Sequence, residues 1–554
     1  MKPPNLRYSR AVRGLWAPSG AFLVGLAVMA PLLALGWHAL GSDLSHWRYL
    51  AGTMPAALRN TMALLAGVGL LVSLLGAGSA WLVTAYDFRG RTILSWALLL
   101  PLAVPTYIMA YAYLDALHPI GPVQSTLRGW LGYASPREFR LPDIRNMTGA
   151  VFVLGFVLYP YVYLTMRSMF LTQSANLLEA ARILGAHKPE VFWRVVLPLA
   201  RPAWAIGLSL ALLEALNDIG ASEFLGVQTL TVSVYTSWTT RSDLGAAAQI
   251  ALTMLVVIVG LLLMERKGRA RQRFANTQRM QPMRPRVLRG LPAAIALMLG
   301  LLPILVGFAC PVAYLSIEAV QRLNGGQGVS NALTRSLSNT VLLALLATVV
   351  TLAAGLMVAW ATRTLREAAW RQPVRSIARV ASLGYAVPGT VLAIGLFTPV
   401  MLIEKALGEL MGGRSLFLMG SVGLLVSAYA IRFLAIPIGA VEAGLTRVPV
   451  SIEYAARTLG ARPAHVLRRI HLPLLRPALV ASALLIFVEA MKELPATLLL
   501  RPLDFDTLAT WLYAEASRGS YEEGAVAAVA IVLAGLLPVV LLARTDLSYG
   551  HRKQ

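Results

Sequence analysis

The sequence predicts an all-α integral membrane protein made of two tandem six-helix units, and three observations carry that prediction. Hydrophobic residues fill 57% of the 554 positions and charged residues only 14%, giving a mean hydropathy of +0.65. Several apolar runs reach the ~20 residues that a helix needs to cross a bilayer, and nothing resembles the short alternating segments of a membrane barrel. The third observation is a repeat. Residues 179 to 203 read EAARILGAHKPEVFWRVVLPLARPA, and residues 454 to 478 read YAARTLGARPAHVLRRIHLPLLRPA. The copies agree without a gap at Ala180/Ala455, Ala181/Ala456, Arg182/Arg457, Leu184/Leu459, Gly185/Gly460, Arg194/Arg469, Leu197/Leu472, Pro198/Pro473, Arg201/Arg476 and Pro202/Pro477. So long a period marks duplication of a whole structural unit.

Taken in order, the first unit (1–265) has spans expected at about 18–40, 59–84, 94–114, 148–169, 203–222 and 245–264. Arg7, Arg10 and Arg13 precede the first run as they would in a signal peptide, but Ala21 to Leu40 is too long for a cleaved apolar core, so it is read as a span. Residues 266–290 follow as a linker: Arg266 to Arg289 holds nine Arg or Lys, no acid and two prolines, a composition suited to anionic lipid headgroups. The second unit (291–554) has spans expected at about 291–317, 337–362, 378–402, 416–440, 478–497 and 523–543. Further matches tie the units together: Asn60-Thr61 and Trp81 pair with Asn339-Thr340 and Trp360, and Ala103-Val104-Pro105 pairs with Ala386-Val387-Pro388. Because six is even, both units enter the membrane in one orientation, and a pseudo-two-fold axis along the membrane normal is expected.

The formal charge of +23 does not point to nucleic acid, because Arg and Lys gather in short stretches between apolar runs. Arg89 and Arg91, both repeat loops, the loop from Arg363 to Arg379, and the two ends of the chain fall on one side. By the positive-inside rule that side is the cytoplasm, with both termini there. The lone Cys310 excludes an intrachain disulfide and a cysteine metal cluster, and the seven histidines lack metal-ligand spacing, so no metal or cofactor is expected.

The repeated loop reads as a bent, two-part helical segment. Asn176 or Ser451 can cap a short helix, the paired alanines give it a face for close packing, and Gly185 or Gly460 ends it. A second helix should follow, interrupted at Pro198 or Pro473. Glu179 falls where the second partner of a capping box would sit behind Asn176, and Glu453 lies where it favours the helix dipole. Inside the apolar runs, Glu214 and Glu489 occupy matching positions, each followed four residues later by Asp218 or Glu493. That spacing places both acids of a copy on one helix face, and an intramembrane acid should face protein or water. These four acids are candidates for a translocation path, or for structural contacts with backbone and Lys492.

The pattern Glu179-Ala180-Ala181, Gly185, Val195, Leu197-Pro198 resembles the signature of permease subunits of bacterial binding-protein-dependent ABC importers. The second copy, with Tyr454-Ala455-Ala456, Gly460, Ile470 and Leu472-Pro473, departs at the glutamate. The resemblance implies two type I importer permease units in the cytoplasmic (inner) membrane, with coupling loops at about 172–202 and 447–477. It further implies that Glu179, Ala180, Ala181, Gly185, Ala455, Ala456 and Gly460 dock a homodimer of ATP-binding subunits on the cytoplasmic side, and that a periplasmic or extracellular substrate-binding protein delivers the cargo. ATP would be used by the partner alone. LEALNDIGASEFLGVQTLTVSVYTSW (213–238) and VEAMKELPATLLLRPLDFDTLATWLY (488–513) are similar to the fused two-copy permeases of ferric-iron importers. Thiamine, phosphonate, polyamine and oxyanion importers share the loop pattern. An ion-coupled secondary transporter is a more distant alternative, with Glu214 and Glu489 in its favour and the docking loops against it.

Overall fold

The computed structural model describes residues 16–41, 44–172, 187–270, 285–325, 330–364, 368–411, 417–519 and 521–551. Among these, ten helices are long and apolar enough to cross a membrane, and two sharply bent helix pairs bring the number to twelve. In the first half these are α1 (Trp16–Leu40), α2 (Leu44–Ala85), the pair α3 (Arg91–Ala97) and α4 (Thr106–Ala116), α6 (Met147–Thr172), α7 (Leu197–Asn217) and α10 (Leu244–Ala270). Shorter helices lie between them: α5 (Pro122–Leu131), α8 (Gly220–Phe224) and α9 (Leu230–Thr239). The second half runs through α11 (Leu291–Ile304) and α12 (Cys310–Asn324) as one span, then α13 (Asn331–Thr364), α14 (Ala368–Ser382), α15 (Gly389–Met411), the pair α16 (Val422–Phe433) and α17 (Ala435–Thr446), α18 (Val450–Thr458), α19 (Leu472–Met491), α20 (Pro495–Leu500), α21 (Leu508–Arg518) and α22 (Tyr521–His551).

The expected third and ninth spans are corrected by one shared feature. Pro105 and Pro388 lack an N–H and exclude the helical region for the residue before them. Val104 and Val387 are accordingly extended, at φ/ψ of −99/113 and −83/123, each following a single 3₁₀ turn, Leu100–Ala103 or Leu383–Ala386. In the first half the chain bends there by 88° between α3 and α4. In the second half the span starts only at Gly389, and α14 before it is amphipathic. The expected tenth span is a pair bent by 47° near Leu434.

The two Asn-Thr pairs do the same work in both halves. Asn60 Nδ2 donates to Gln228 O (3.2 Å) and Thr61 Oγ1 accepts from Leu230 N (2.9 Å), fastening the start of α9 to α2. Asn339 Nδ2 donates to Asp506 O (3.0 Å) and Thr340 Oγ1 accepts from Leu508 N (2.7 Å), fastening α21 to α13. Each threonine thus satisfies an otherwise orphaned N–H at a helix start.

Each half also lends its first span to the other. α1 packs along α15, with Gly395 so close to Pro31 that a Cβ would lie 2.4 Å from the Pro31 carbonyl oxygen. His38 Nε2 and Thr398 Oγ1, 2.5 Å apart, close the same contact. α12 correspondingly meets α4, where Tyr314 OH donates to Asp115 Oδ2 at 2.6 Å. Phe224 of α8 stacks on Tyr513 of α21, centroids 5.4 Å apart, and Tyr513 OH donates to Glu223. The far end of the linker is pinned by a two-residue parallel pairing, Tyr86↔Arg286 and Asp87↔Val287. Its near end, to Ala270, continues α10.

Candidate translocation site and coupling loop

The backbone of the second repeat loop is described throughout; Asn176, Glu179, Ala180, Ala181 and Gly185 of the first lie outside the described residues. α18 begins at Val450 behind Pro449, so Ser451 stands inside the helix and does not cap it. Gly460 has φ +81, and Ala461 N donates to Ala456 O at 3.0 Å. That bond and the left-handed glycine form a Schellman end, as the expected stop requires. Ala455, Tyr454, Ile452 and Leu459 are exposed, giving α18 a largely apolar outward face.

The prolines do not interrupt the second helix. Pro463–Met491 is one span, and its first turns contain a π-helical stretch, Leu467–His471, immediately before Leu472-Pro473. Phe192–Val196 does the same before Leu197-Pro198. A π turn widens the ladder by one residue, which makes room for a proline ring and its missing N–H without ending the helix.

α7 and α19 both end before the second acid of each pair. α7 stops at Asn217 and α19 at Met491, so Asp218 and Glu493 lie beyond the helices rather than one turn along the face of Glu214 and Glu489. The reason is that both acids cap the short helices that follow. Asp218 Oδ1 accepts from Ser222 N (2.8 Å) and Ser222 Oγ (3.2 Å), and its Oδ2 accepts from Thr106 Oγ1 (2.5 Å). Glu493 accepts from Ala496 N (3.0 Å), Thr497 N (3.1 Å), Thr497 Oγ1 (2.7 Å) and Arg432 Nη1 (3.1 Å). The cation replaces the Thr106 hydroxyl because Gly389 stands at the matching position, where a Cβ would come within 2.2 Å of Arg432 Nη1.

All four acids nevertheless border one cavity of about 100 Å³ between the halves, together with Asn217, Arg432 and Lys492. Its walls come from the first proline break, at Val104 and Pro105, and from Tyr107, Tyr161 and Phe433. Glu489 Oε1 pairs with Lys492 Nζ at 2.8 Å, and Glu214 Oε1 accepts from Tyr385 OH at 3.2 Å. Asn217 Oδ1 accepts from Gly389 N at 2.9 Å, tying the two halves together beside the cavity. Four carboxylates face two cations there, so full ionisation leaves an excess of two negative charges. Glu214 and Glu489, both half-buried, have fewer protein partners than Asp218 and Glu493. Arg432 and Tyr385 were not singled out from the sequence; an arginine inside the apolar run LLVSAYAIRFLAIPIG was a usable signal for the first.

Removing the two capping acids should have unequal effects. Glu493→Ala leaves Arg432, 12% exposed, without its carboxylate, and breaking such a buried pair costs about 3–5 kcal/mol. Asp218→Ala removes only neutral donors and should cost about 1–2 kcal/mol. Thermal unfolding of the detergent-solubilised variants is the measurement, and equal losses would argue against the ion pair as the dominant contact.

The family model described as "Binding-protein-dependent transport system inner membrane component" matches the chain twice, at residues 69–267 and 352–545. The Fe(3+)-transport system permease protein FbpB 2 of Haemophilus influenzae is 24% identical over 541 residues, covering 95% of this chain and 97% of that protein. A probable ABC transporter permease protein, y4fN of Sinorhizobium fredii, is 26% identical over 97% of this chain and 95% of its own length. A putative 2-aminoethylphosphonate transport system permease protein, PhnU of Salmonella choleraesuis, is 30% identical over 39% of this chain and 75% of its own. Two family matches on two halves with the same internal fastenings have one reading: the chain belongs to the inner membrane components of binding-protein-dependent transport systems, as a fused two-copy ABC importer permease.

Proposed function

We propose that this permease carries ferric iron inward, taking it from a periplasmic or extracellular binding protein and drawing energy from a homodimer of ATP-binding subunits at the cytoplasmic face. The observation that carries the cargo is the cavity: Glu214 and Glu489 are its least committed groups, and carboxylate oxygens suit a hard cation. Phosphonate, sulfate and molybdate would meet the same acids as like charges, which discriminates against them. The full-length similarity to a ferric permease supports the same choice. The acids need only bind weakly, since tight chelation would stop release. Uptake of labelled ferric iron, set against labelled thiamine and phosphonate in cells with and without the gene, tests the cargo. Gene-dependent uptake of an oxyanion or thiamine without iron would overturn it.

In this reading the side bearing the repeat loops is cytoplasmic, as the basic loops require. The outward face of α18 and its counterpart in the first half receive the ATPase. The chain alone should not hydrolyse ATP: a phosphate-cradling loop needs Gly-Lys-Ser/Thr, and none of Lys2, Lys188, Lys267, Lys405, Lys492 and Lys553 follows a glycine. Purified chain free of other subunits should show no ATPase activity above buffer. Specific turnover that co-purifies with it would contradict this.

A further inference from the structure

We infer that Arg363, Glu453 and His471 form a latch that fixes the second coupling helix to the spans of its own half, one that the matching residues of the first half cannot form. The inference rests on the coupling role proposed for these loops. Among the described side chains of α18, Glu453 is the only buried one, at 2% exposure. Its Oε1 accepts from Arg363 Nε at 2.8 Å and lies 3.3 Å from His471 Nε2. Arg363 belongs to the last turn of α13, and its Nη2 also donates to Val448 O at 2.9 Å, holding the chain that enters α18. His471 closes the π turn that leads into α19. One carboxylate therefore joins the helix with the outward apolar face to two spans, where the sequence alone suggested only a helix-dipole contact.

The repeat supplies the comparison. By the register that pairs Trp81 with Trp360, Arg363 corresponds to Thr84; by the register of the loops, Glu453 and His471 correspond to Leu178 and Val196. None of those three can ionise. Thr84 Oγ1 donates to Ala80 O of its own helix at 2.7 Å, and Val196 is fully buried. A buried ion group is a weak source of net stability but a strong constraint on geometry, because each partner left alone is costly. A push on α18 is therefore passed directly to α13 and α19, a link for which the first half lacks the ionisable residues at the matching positions. The two halves receive the ATPase stroke by different routes.

The test uses the whole complex, reconstituted with its ATPase and binding protein, and reads cargo moved per ATP hydrolysed. Glu453→Leu leaves Arg363 without its carboxylate and should lower uptake at least tenfold. The triple variant Arg363→Thr, Glu453→Leu, His471→Val installs the first half's residues; it should recover insertion and basal ATPase activity yet keep a several-fold lower cargo-to-ATP ratio. Arg363→Lys, which keeps the charge but loses the fork that reaches both Glu453 and Val448, should fall between it and the unaltered protein. A triple variant as tightly coupled as the unaltered protein would show that the cluster only fills space and would overturn the latch. Should the triple variant fail to insert, Glu453→Gln keeps the shape and removes the charge, and an unchanged ratio there overturns the latch equally. An unaltered complex whose ATPase does not respond to this chain would overturn the coupling role proposed for the loops instead.

Discussion

Replacing Gly460 by valine should abolish uptake while leaving the protein inserted in the membrane. Gly460 sits at φ +81, where an L residue pays roughly 1–2 kcal/mol and a β-branched one more. A Cβ at this position would meet nothing within 4 Å, so the penalty lies in the backbone alone. Relieving it means unwinding the Schellman end, which moves Leu459 and the outward face of α18 relative to Glu453. The membrane core is untouched. A graded series follows from the same physics: Asn, which tolerates the left-handed region, should retain most uptake, Ala less, and Val none. Uptake assays beside a membrane-fraction immunoblot check the series. Full uptake by the valine variant would show that the loop is not a rigid coupling element. Gly185→Val in the first loop is expected to act in the same way.

How much of this was legible in the sequence depended on the range of the interaction. The duplication, the twelve-span count and the glycine stop of the second loop are local or periodic features, and residues alone displayed them. Asn60-Thr61 and Asn339-Thr340 were visible as repeat markers, but their partners at Gln228, Leu230, Asp506 and Leu508 are distant in sequence, and only the fold brings them together. The Ala-Val-Pro match is also visible, yet apolar content alone carries the expected spans through it and hides the geometry that proline imposes on the preceding residue. Asp218 and Glu493 depart from their spacing for the opposite reason. Spacing of four implies one helix face only if the helix continues, and here the acids themselves end it by satisfying the N–H groups of the next short helix. Glu453 was one residue away from the family's glutamate position, and no local rule could show that Arg363 and His471 converge on it.

The double substitution Glu214→Gln with Glu489→Gln should cut ferric uptake by at least about tenfold, with binding-protein docking and stimulated ATPase activity preserved. Two unit charges 4 Å apart are worth about 4 kcal/mol at an effective dielectric of about 20, so losing both carboxylates removes more attraction for a trivalent cation than a tenfold change requires. Glutamine keeps the shape and can still accept from Tyr385, so the wall of the cavity should stand. Lys492 would lose its counter-charge, but at 23% exposure it is not sealed from water, and Asp218 and Glu493 remain on their capping bonds. The proposed path divides the four acids: two hold the ends of broken helices in place, and two present charge to the cavity between the halves. A structural role for Glu214 and Glu489 predicts a different result, with expression and ATPase activity falling together and uptake falling only as far as they do. Normal uptake in the double variant would remove both residues from the path.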